Sequence, residues 1–300
     1  MPLSRRRTIR GKRRWSAPFL FLLPLLAILL VINIYPTVFE IGTSFTSRTL
    51  GQPGAPFIGL ANFGRLFTDS RFWNSLWVTV RLLLFAVPAE LAAGTAIALM
   101  LHATPHRRIF FPALLIPIVM TPIVAGFAFK YMFQEDYGLI SWFLKLVRLF
   151  PGFNLTTRIR TVLPALAFVD FWQWTPFVML IVLAGLNKIP ASVREASSLD
   201  GASGWQRFIY IVLPMLRAEF LVALLFRTVD VFRIYDIIYA TTRGGPGSFS
   251  ESASVYLQIS AFQFRDLGYA CAFAFTLVMI GVAWANLYLR VLRSRGQGAV

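Results

Sequence analysis

The chain has 300 residues, of which 57% are hydrophobic and only 14% are charged. Soluble proteins carry about a quarter charged residues, so this composition excludes a soluble globular protein and predicts an integral membrane protein. The net charge of +16 would suit nucleic-acid binding, but seven of the basic residues fall within the first fourteen positions, directly before an apolar run. That arrangement is typical of the cytoplasmic flank of a membrane span, and no nucleic-acid partner is expected.

The N-terminal residues 1–16 form a basic tail, and the apolar run 17–39 is the first predicted span. This run is too long for the core of a signal peptide, and no cleavage site of small residues follows it, so an uncleaved transmembrane helix is expected. The external loop 40–75 comes next. Within 56–75, apolar and aromatic residues recur at helical spacing, which predicts a short helix at the membrane interface.

Five more apolar runs complete a predicted all-α integral membrane fold with six transmembrane helices. A helix needs roughly 20 apolar residues to cross a bilayer, whereas the strands of a membrane barrel alternate over about ten residues, so helices are expected. The runs lie at 76–101, 110–133, 161–187, 217–241 and 267–290, and the C-terminal tail is 291–300.

The distribution of Lys and Arg predicts the orientation of the chain in the membrane. With the N-terminus inside, the cytoplasmic segments carry 16 of these residues and the external loops carry 9, as the positive-inside rule requires. Both termini are therefore predicted to be cytoplasmic, and the segment 188–216 becomes a long cytoplasmic loop.

The loop 188–216 is predicted to fold as helix, turn, helix. Two capping-box spacings, S-x-x-E and S-x-x-Q, mark its two helices, and an Asp-Gly turn signal lies between them. These residues are Ser192 with Glu195, Ser203 with Gln206, and Asp200 with Gly201.

The second helix of this loop carries one apolar face, because large side chains recur at i, i+3, i+4 and i+7. They are Trp205, Phe208, Ile209 and Val212. Two interpretations are open: the face lies on the lipid headgroups, or it docks into a groove of a partner protein.

Ionisable residues inside the fifth span are candidates for function, because charge at membrane depth is costly unless it is paired or faces water. Charges of alternating sign recur there every third residue, so that neighbours can pair; they are Arg227, Asp230, Arg233 and Asp236. Either these pairs fix helix packing, or they line a solute pathway. In the second case, Arg227, Asp230 and Ile234 share the helix face that would lead into the pathway.

The fourth span carries a second candidate set. Asp170, Trp174 and Phe177 fall on one face of the helix, with Gln173 beside them. A carboxylate or amide for hydroxyl groups, next to an aromatic ring for C–H faces, suits a carbohydrate. Membrane tryptophans are also common interface anchors, so both interpretations stay open.

Several other reactive residues are interpreted as structural. Cys271 is the only cysteine, which excludes a disulfide framework, a cysteine-rich metal cluster and a redox pair. His102 and His106 have no carboxylate or thiol beside them, so no metal site is expected. Arg81 and Glu90 lie nine residues apart in the second span, on different sides of the helix.

The pattern E-A-S-x3-G-x9-I-x-L-P resembles the EAA motif of ABC importer permeases, with Ser197 where a second alanine is usual. Its positions are Glu195, Ala196, Ser197, Gly201, Ile211, Leu213 and Pro214. The stretch 57–79, the turn containing Gly244, Gly245 and Pro246, and the six-span layout are similar to the maltose-type, sugar-importing subfamily.

The resemblance implies a type I ABC importer fold with a MetI-like core over 76–290. It implies a transport subunit of a prokaryotic inner or plasma membrane, not an enzyme, that works with a second permease subunit, two ATPase subunits and an extracytoplasmic solute-binding protein. The ATPase subunits would bind ATP, since this chain lacks a GxxxxGK[ST] loop, and no cofactor is expected. The loop helices would insert into an ATPase cleft through the EAA residues together with Asp200, Trp205 and Phe208.

The resemblance also implies a solute: a disaccharide or oligosaccharide of the maltose or trehalose class, moved by alternating access. The family has a mid-membrane pocket on the helices flanking the loop, and the charged and aromatic sets match it in position, although the family pocket is richer in Asn and Ser. Two alternatives remain, a permease of the same family for glycerol phosphate or a polyol, and an ion-coupled secondary transporter. The second usually shows inverted repeats, and no clear repeat is present. An intramembrane enzyme is not favoured, because the sequence has no HExxH or GxSxG motif.

Overall fold

The computed structural model describes residues 16–105, 107–147 and 158–296. Most of the basic N-terminal tail, His106 and the last four residues of the C-terminal tail lie outside these ranges.

Regular structure in the described ranges is helical, apart from two isolated β-bridges, Thr46 with Phe57 and Thr49 with Asp266. The helices are α1 (Ser16–Leu29), α2 (Tyr35–Ser44), α3 (Ala61–Thr68), α4 (Ser70–Ala103), α5 (Arg107–Val119), α6 (Pro122–Met132), α7 (Leu139–Leu146), α8 (Ile159–Leu186), α9 (Ala191–Leu199), α10 (Gly204–Arg207), α11 (Leu213–Met215), α12 (Arg217–Phe232), α13 (Asp236–Thr241), α14 (Ala253–Gln258) and α15 (Leu267–Gly296). Three π-helical turns, Leu30–Ile34, Phe208–Val212 and Ile259–Gln263, continue α1, α10 and α14.

Four helical segments of the described chain are long and apolar enough to cross a membrane without a break. They are Phe21–Ser44, Ser70–Ala103, Ile159–Leu186 and Leu267–Tyr288. Two bent pairs pass the same test together: α5 with α6, bent by 93°, and the α10–α11 segment with α12, bent by 67°. Counting each pair as one span gives up to six, in agreement with the all-helical, six-span prediction.

The third predicted span, 110–133, is broken between α5 and α6. Proline disfavours the helical conformation in the residue before it, and Thr121, which precedes Pro122, is accordingly extended with ψ 141°. Hydropathy alone does not report this change of backbone direction, and Pro122 is the residue in the run that signals it.

The fifth predicted span, 217–241, is also interrupted. The helix α12 ends at Phe232, the residues 233–235 are non-helical, and α13 begins at Asp236. Non-helical backbone at membrane depth is tolerated only where it is covered by protein or lines a cavity. The break therefore marks a place where the chain faces something other than lipid.

The helices α4 and α8 pack along each other at the centre of the bundle. A Cβ added to Gly94 on α4 would lie 2.8 Å from the Cβ of Val178 on α8, so the missing side chain lets the two backbones approach closely. One apolar cluster contains Phe72 and Phe273, and a second, nearer the 188–216 loop, contains Val178 and Leu216.

The loop 188–216 has two helices joined by a turn at Asp200–Ala202. Gly201 has φ +74°, a left-handed conformation that glycine adopts without the steric cost of a side chain. The Ser203–Gln206 capping box is present in both of its hydrogen bonds. The expected Ser192–Glu195 box is not, because α9 begins at Ala191 after Pro190, which makes Ser192 part of the helix instead of its cap.

Candidate functional site

Three helices meet at the guanidinium of Arg227 on α12. Its Nε and Nη2 donate to the two carboxylate oxygens of Glu90 on α4, at 2.6 and 2.9 Å. Its Nη2 also donates to Asp170 on α8 at 2.6 Å, and its Nη1 to Asp230 on α12 at 2.5 Å. We call these four side chains the Arg227 cluster.

The Arg227 cluster is buried at its centre and open at one end. Arg227, Glu90 and Asp170 have side chains that are 1%, 0% and 3% exposed, whereas that of Asp230 is 38% exposed. The face of the Trp174 ring lies 4.7 Å from the Arg227 guanidinium carbon, a distance at which the ring attracts a cation. A planar guanidinium has five N–H donors and here makes four hydrogen bonds to three carboxylates, one more than the three donors of a lysine allow.

A cavity of about 320 Å³ opens beside the Arg227 cluster, at the break between α12 and α13. Its lining combines charged, aromatic and apolar side chains, the mixture found in small-molecule sites. The lining residues are Pro122, Asp170, Trp174, Asp230, Arg233, Ile234, Tyr235, Asp236 and Ile237. We call this space the intramembrane cavity.

The structure brings together most of the residues predicted for a solute pathway. Asp170, Trp174, Asp230 and Ile234 line the intramembrane cavity, and Arg227 lies within hydrogen-bonding distance of two of them.

Two predicted pathway residues lie elsewhere. Gln173 is buried; its amide N–H donates to the Met120 carbonyl at 2.8 Å, and its Oε1 has no partner among the described residues. Phe177 packs edge-on between the rings of Trp174 and Phe226. Phe177 thus packs against the lining residue Trp174, and Gln173 joins α8 to the bend between α5 and α6.

The expected ladder of charges in the fifth span is only partly formed. Arg227 pairs closely with Asp230, but Arg233 lies 3.9 Å from Asp230 and is 73% exposed. The helix α12 ends before Arg233, and Asp236 begins the next helix. The prediction of a continuous row of charges along one helix is therefore wrong. Arg233 and Asp236 instead lie at the mouth of the cavity.

Glu90 is the residue of the Arg227 cluster that sequence reasoning assigned to packing alone. Its partner is not Arg81, nine positions away on the same helix, but Arg227, which lies 137 positions away. A signal was present, because a carboxylate in the middle of an apolar span requires a cation. The sequence does not say which helix supplies that cation.

The described part of the 188–216 loop presents an exposed surface with large apolar side chains. Leu199, Trp205 and Tyr210 are 89%, 70% and 75% exposed, and the rings of Trp205 and Phe208 lie 5.7 Å apart. The motif residues Glu195, Ala196, Asp200, Gly201 and Pro214 are also exposed. We call this the loop surface.

The other predicted loop residues point inward or lie at the edge. Ser197 is buried, Ile211 is half-buried, and Leu213 is 38% exposed. Val212 packs on the cluster around Leu216, so it does not share the face of Trp205, because the π-helical turn over Phe208–Val212 shifts the spacing of side chains.

The base of the loop is fixed to the bundle by charge and by close packing. Lys188, before α9, donates to Glu219 on α12 at 2.9 Å. A Cβ on Gly185 of α8 would lie 2.6 Å from Leu216. The base of the loop is therefore in direct contact with α8 and α12, the helices that carry Asp170 and Arg227.

Hydrogen bonds within the predicted glycine turn and an ion pair of the buried Glu251 with the partly exposed Arg71 fix the turn in place. Gly244 has φ +92°, and the Gly245–Pro246 peptide is cis. The Ser250 hydroxyl donates to the Gly245 carbonyl at 2.5 Å. Nearby, Arg71 at the start of α4 donates two hydrogen bonds of 2.7 and 2.8 Å to Glu251, which holds the turn against the bundle.

A second cavity, of about 530 Å³, lies between α3, α14 and the start of α15. The Asp69 carboxylate there accepts hydrogen bonds of 2.5 Å from the hydroxyls of Tyr256 and Tyr269. Burial alone would raise the pKa of Asp69, but these two bonds and those from the backbone N–H groups of Arg71 and Phe72 together hold it below its ordinary value.

The described residues contain no group of three or more His, Cys, Asp and Glu side chains arranged to hold a metal ion. His106 lies outside the described residues, so the expectation that it binds no metal with His102 stays a prediction.

A chain with several membrane-spanning helices, a charged intramembrane cavity beside a broken helix and an exposed loop surface has the features of a membrane transport component. The family model described as "binding-protein-dependent transport system inner membrane component" matches residues 14–294. The chain belongs to this family, whose members are transport components and not enzymes.

Comparisons with individual proteins agree with this assignment. The chain is 34% identical to the trehalose/maltose transport system permease protein of Thermococcus litoralis, over 92% of this chain and 94% of that one. It is 34% identical to the sulfoquinovosyl glycerol transport system permease protein of Agrobacterium fabrum, over 92% and 90%. A chain of a bacterial alginate ABC transporter, solved with an alginate pentasaccharide-bound periplasmic protein, shares the fold with a TM-score of 0.79 at 17% identity, covering 90% of this chain and 92% of that one.

Proposed function

We propose that this chain is the permease subunit of an ATP-driven importer that receives a sugar from an extracytoplasmic binding protein and passes it through the intramembrane cavity. The observation that carries the proposal is the placement of exposed charge at the broken helix. Asp230 and Arg233 are 38% and 73% exposed there, next to Trp174 and Tyr235.

Charged side chains at membrane depth face a water-filled path or another protein, because exposure to lipid is costly. The mouth of the cavity therefore faces the space between this chain and a second permease subunit. Trp174 and Tyr235 offer ring faces to the C–H surfaces of a sugar, and Asp170 and Asp230 offer acceptors to its hydroxyls. The names of the relatives that transport trehalose, maltose and sulfoquinovosyl glycerol support a sugar or a glycoside.

The loop surface is the site at which an ATPase subunit drives the permease. An amphipathic segment with exposed Trp205 and Leu199 fits helix-in-groove recognition, and the EAA residues Glu195, Ala196 and Gly201 are exposed beside it. The chain has no GxxxxGK[ST] phosphate loop, so two ATPase subunits supply ATP hydrolysis. In this arrangement the loop and both termini are cytoplasmic, and the Gly244–Pro246 turn faces the binding protein.

The coupling route follows from how the loop is connected. The α10–α11 segment is joined to α12 through a 67° bend, and Lys188 ties the other end of the loop to α12. Rigid-body movement of the loop therefore carries Arg227 and Asp230 with it. This links ATP-driven movement to the shape of the intramembrane cavity.

Uptake by the complete importer in vesicles tests the proposal. We expect uptake of a maltose-class sugar. This uptake should require ATP on the side of the membrane that carries the loop, and the binding protein on the opposite side. A vesicle with an ATPase subunit whose phosphate-loop lysine is replaced provides the matched control. Uptake by this chain alone, driven by a proton or sodium gradient without ATP, would establish an ion-coupled carrier instead. Uptake of glycerol phosphate or a polyol in place of the sugar would establish the same-family alternative.

A further inference from the structure

The intramembrane cavity holds more negative than positive side chains. Asp170, Asp230 and Asp236 line it, and the only lining cation among the described residues is Arg233. The side chains directly behind the lining are Glu90 and Arg227. The cavity and its backing thus carry four carboxylates against two guanidinium groups.

Arg227 is not available to an anionic solute. Its Nε, Nη1 and Nη2 atoms all donate to carboxylates of the chain, and the Trp174 ring lies against it. Its side chain is 1% exposed. Although it is an arginine beside a cavity, its charge is already balanced by carboxylates of the protein.

Arg233 does not cancel the excess negative charge of the cavity. It is 73% exposed, lies at the mouth, and is 3.9 Å from Asp230, so solvent screens it more strongly than the buried carboxylates. If one of the buried carboxylates of Glu90 or Asp170 binds a proton, one negative charge is still in excess. In a narrow space with low-dielectric walls, an excess charge produces a strong local potential.

We infer that the intramembrane cavity admits uncharged polyhydroxyl solutes and excludes anionic ones, with Asp170 and Asp230 as the specificity-determining residues. This inference rests on the proposed sugar-permease function and narrows it to neutral sugars. Similarity alone leaves the solute charge open, because the relatives include a permease for sulfoquinovosyl glycerol, which carries a sulfonate, and one for trehalose and maltose. The negative charge of the cavity favours the neutral solutes over the sulfonate, and it also disfavours the anionic glycerol phosphate.

The charge of the cavity is measured with cationic and anionic thiosulfonate reagents of similar size on a single introduced cysteine. The background is Cys271→Ala, which removes the only cysteine of the chain. Tyr235→Cys places the thiol in the cavity wall. Leu60→Cys, at a residue 69% exposed and away from both the cavity and the loop surface, gives the intrinsic ratio of the two reagents. The importer is assayed in permeabilised membranes, and labelling of this chain is followed by mass spectrometry.

Relative to the Leu60→Cys control, we expect the cationic reagent to modify the cavity cysteine about tenfold faster than the anionic one, as one excess charge roughly 10 Å away would produce. Adding Asp230→Asn keeps the shape of the side chain and removes one charge, and should bring the ratio several-fold closer to the control. A cavity cysteine that reacts equally with both reagents, or faster with the anionic one, would overturn the inference.

Failure of this inference is distinguishable from failure of the proposed function. ATP-dependent sugar uptake by the unlabelled importer tests the function and does not depend on the reagent ratio. Sugar uptake with no cationic preference would leave the permease function in place and overturn charge selection. A strong cationic preference that disappears with Asp230→Asn would support charge selection by these residues.

Discussion

Arg227 on α12 and Glu90 on α4 are 137 positions apart in the sequence, and two hydrogen bonds of 2.6 and 2.9 Å join them inside the bundle. The same guanidinium holds Asp170 on α8. One cation therefore connects the central helix pair to the helix that continues from the loop surface. Buried charges of this kind are costly to separate, because removal of one member leaves the others unpaired in a low dielectric.

We expect removal of the cation to be far more damaging than removal of one carboxylate. Arg227→Met leaves three carboxylates without their shared partner and should destabilise the importer by about 3–5 kcal/mol. Glu90→Gln leaves Arg227 paired with Asp170 and Asp230 and keeps one of the two oxygens that accept from Arg227, so it should cost about 1.5–3 kcal/mol, the size of one charged hydrogen bond. Thermal unfolding of the purified importer measures both.

The exposed pair of Arg65 with Asp266 provides the control for this comparison. Arg65 is 59% exposed in that pair, and an exposed ion pair contributes about 0–1 kcal/mol, so Arg65→Gln should leave the unfolding temperature nearly unchanged. Equal destabilisation by Arg227→Met and Glu90→Gln would contradict the view that one cation serves all three carboxylates.

The turn of the 188–216 loop gives a second prediction. Gly201 has φ +74°, and a Cβ there would meet nothing within 4 Å, so the requirement for glycine is conformational and not spatial. Gly201→Val should strain the turn by about 1–2 kcal/mol and weaken both ATPase association and uptake. Gly201→Asn should retain them, since Asn tolerates the left-handed conformation.

Gly204, three residues further on, separates this effect from general sensitivity of the loop. Its φ is not positive and a Cβ would meet nothing within 4 Å, so Gly204→Ala should leave association and uptake intact. Full activity of Gly201→Val would show that the turn does not need this conformation.

How far the sequence could predict the molecule depends on the range of the interaction involved. The spans and the Ser203–Gln206 capping box follow from residues within a few turns of one another, and the sequence shows them. The pairing of Glu90 with Arg227 and the bend at Thr121 depend on how distant helices meet or on backbone direction. Hydropathy and spacing carry no record of either.

The candidate site likewise contains residues that the sequence predicts and residues that only the folded structure reveals. The sequence predicts Asp170 and Asp230 because charge at membrane depth needs a partner or water, and Trp174 and Ile234 because they share helix faces with those carboxylates; all four line one cavity. Tyr235 also lines the cavity, but a tyrosine in an apolar run carries no sequence signal of such a role, because the role depends on the break in the helix beside it. The packing of Val212 on the bundle differs from the prediction for a related reason: the predicted spacing assumes an α-helix, and the chain forms a π-helical turn there.

Trp205 supplies a third prediction, on partner binding. Its side chain is 70% exposed, so Trp205→Ala should not alter folding, but loss of a central aromatic contact typically costs at least about 2 kcal/mol of binding. We expect about thirtyfold weaker association with the ATPase subunit, measured by retention of that subunit during purification and by titration. Phe262→Ala, at a residue 62% exposed on the π-helical turn after α14, is the matched control. Association unchanged in Trp205→Ala would exclude this residue from the docking surface.

The close approach of α4 and α8 supplies a fourth prediction. A Cβ at Gly94 would lie 2.8 Å from Val178, so Gly94→Ala forces the two helices apart, and overpacking of this kind costs about 1–3 kcal/mol. Gly281 on α15 has nothing within 4 Å of its added Cβ, and Gly281→Ala should be neutral or slightly stabilising. Thermal unfolding of the two variants tests this prediction. Equal unfolding temperatures for Gly94→Ala and Gly281→Ala would mean that α4 and α8 can separate without cost.

The last prediction concerns acid and the Asp69 carboxylate, which accepts hydrogen bonds from Tyr256 and Tyr269. Burial by itself raises the pKa of Asp69, but the hydrogen bonds outweigh it and the pKa lies below the ordinary 3.8. Because the folded carboxyl has the lower pKa, it stabilises the fold at pH values above 3.8, and this contribution is lost as the pH falls through the folded pKa. We therefore expect Asp69→Asn to lower the unfolding temperature at neutral pH and the gap to the parent protein to shrink as the medium is acidified below about 3.8. A gap that stays constant or widens on acidification would mean that the ionised carboxylate is not what the two tyrosines stabilise.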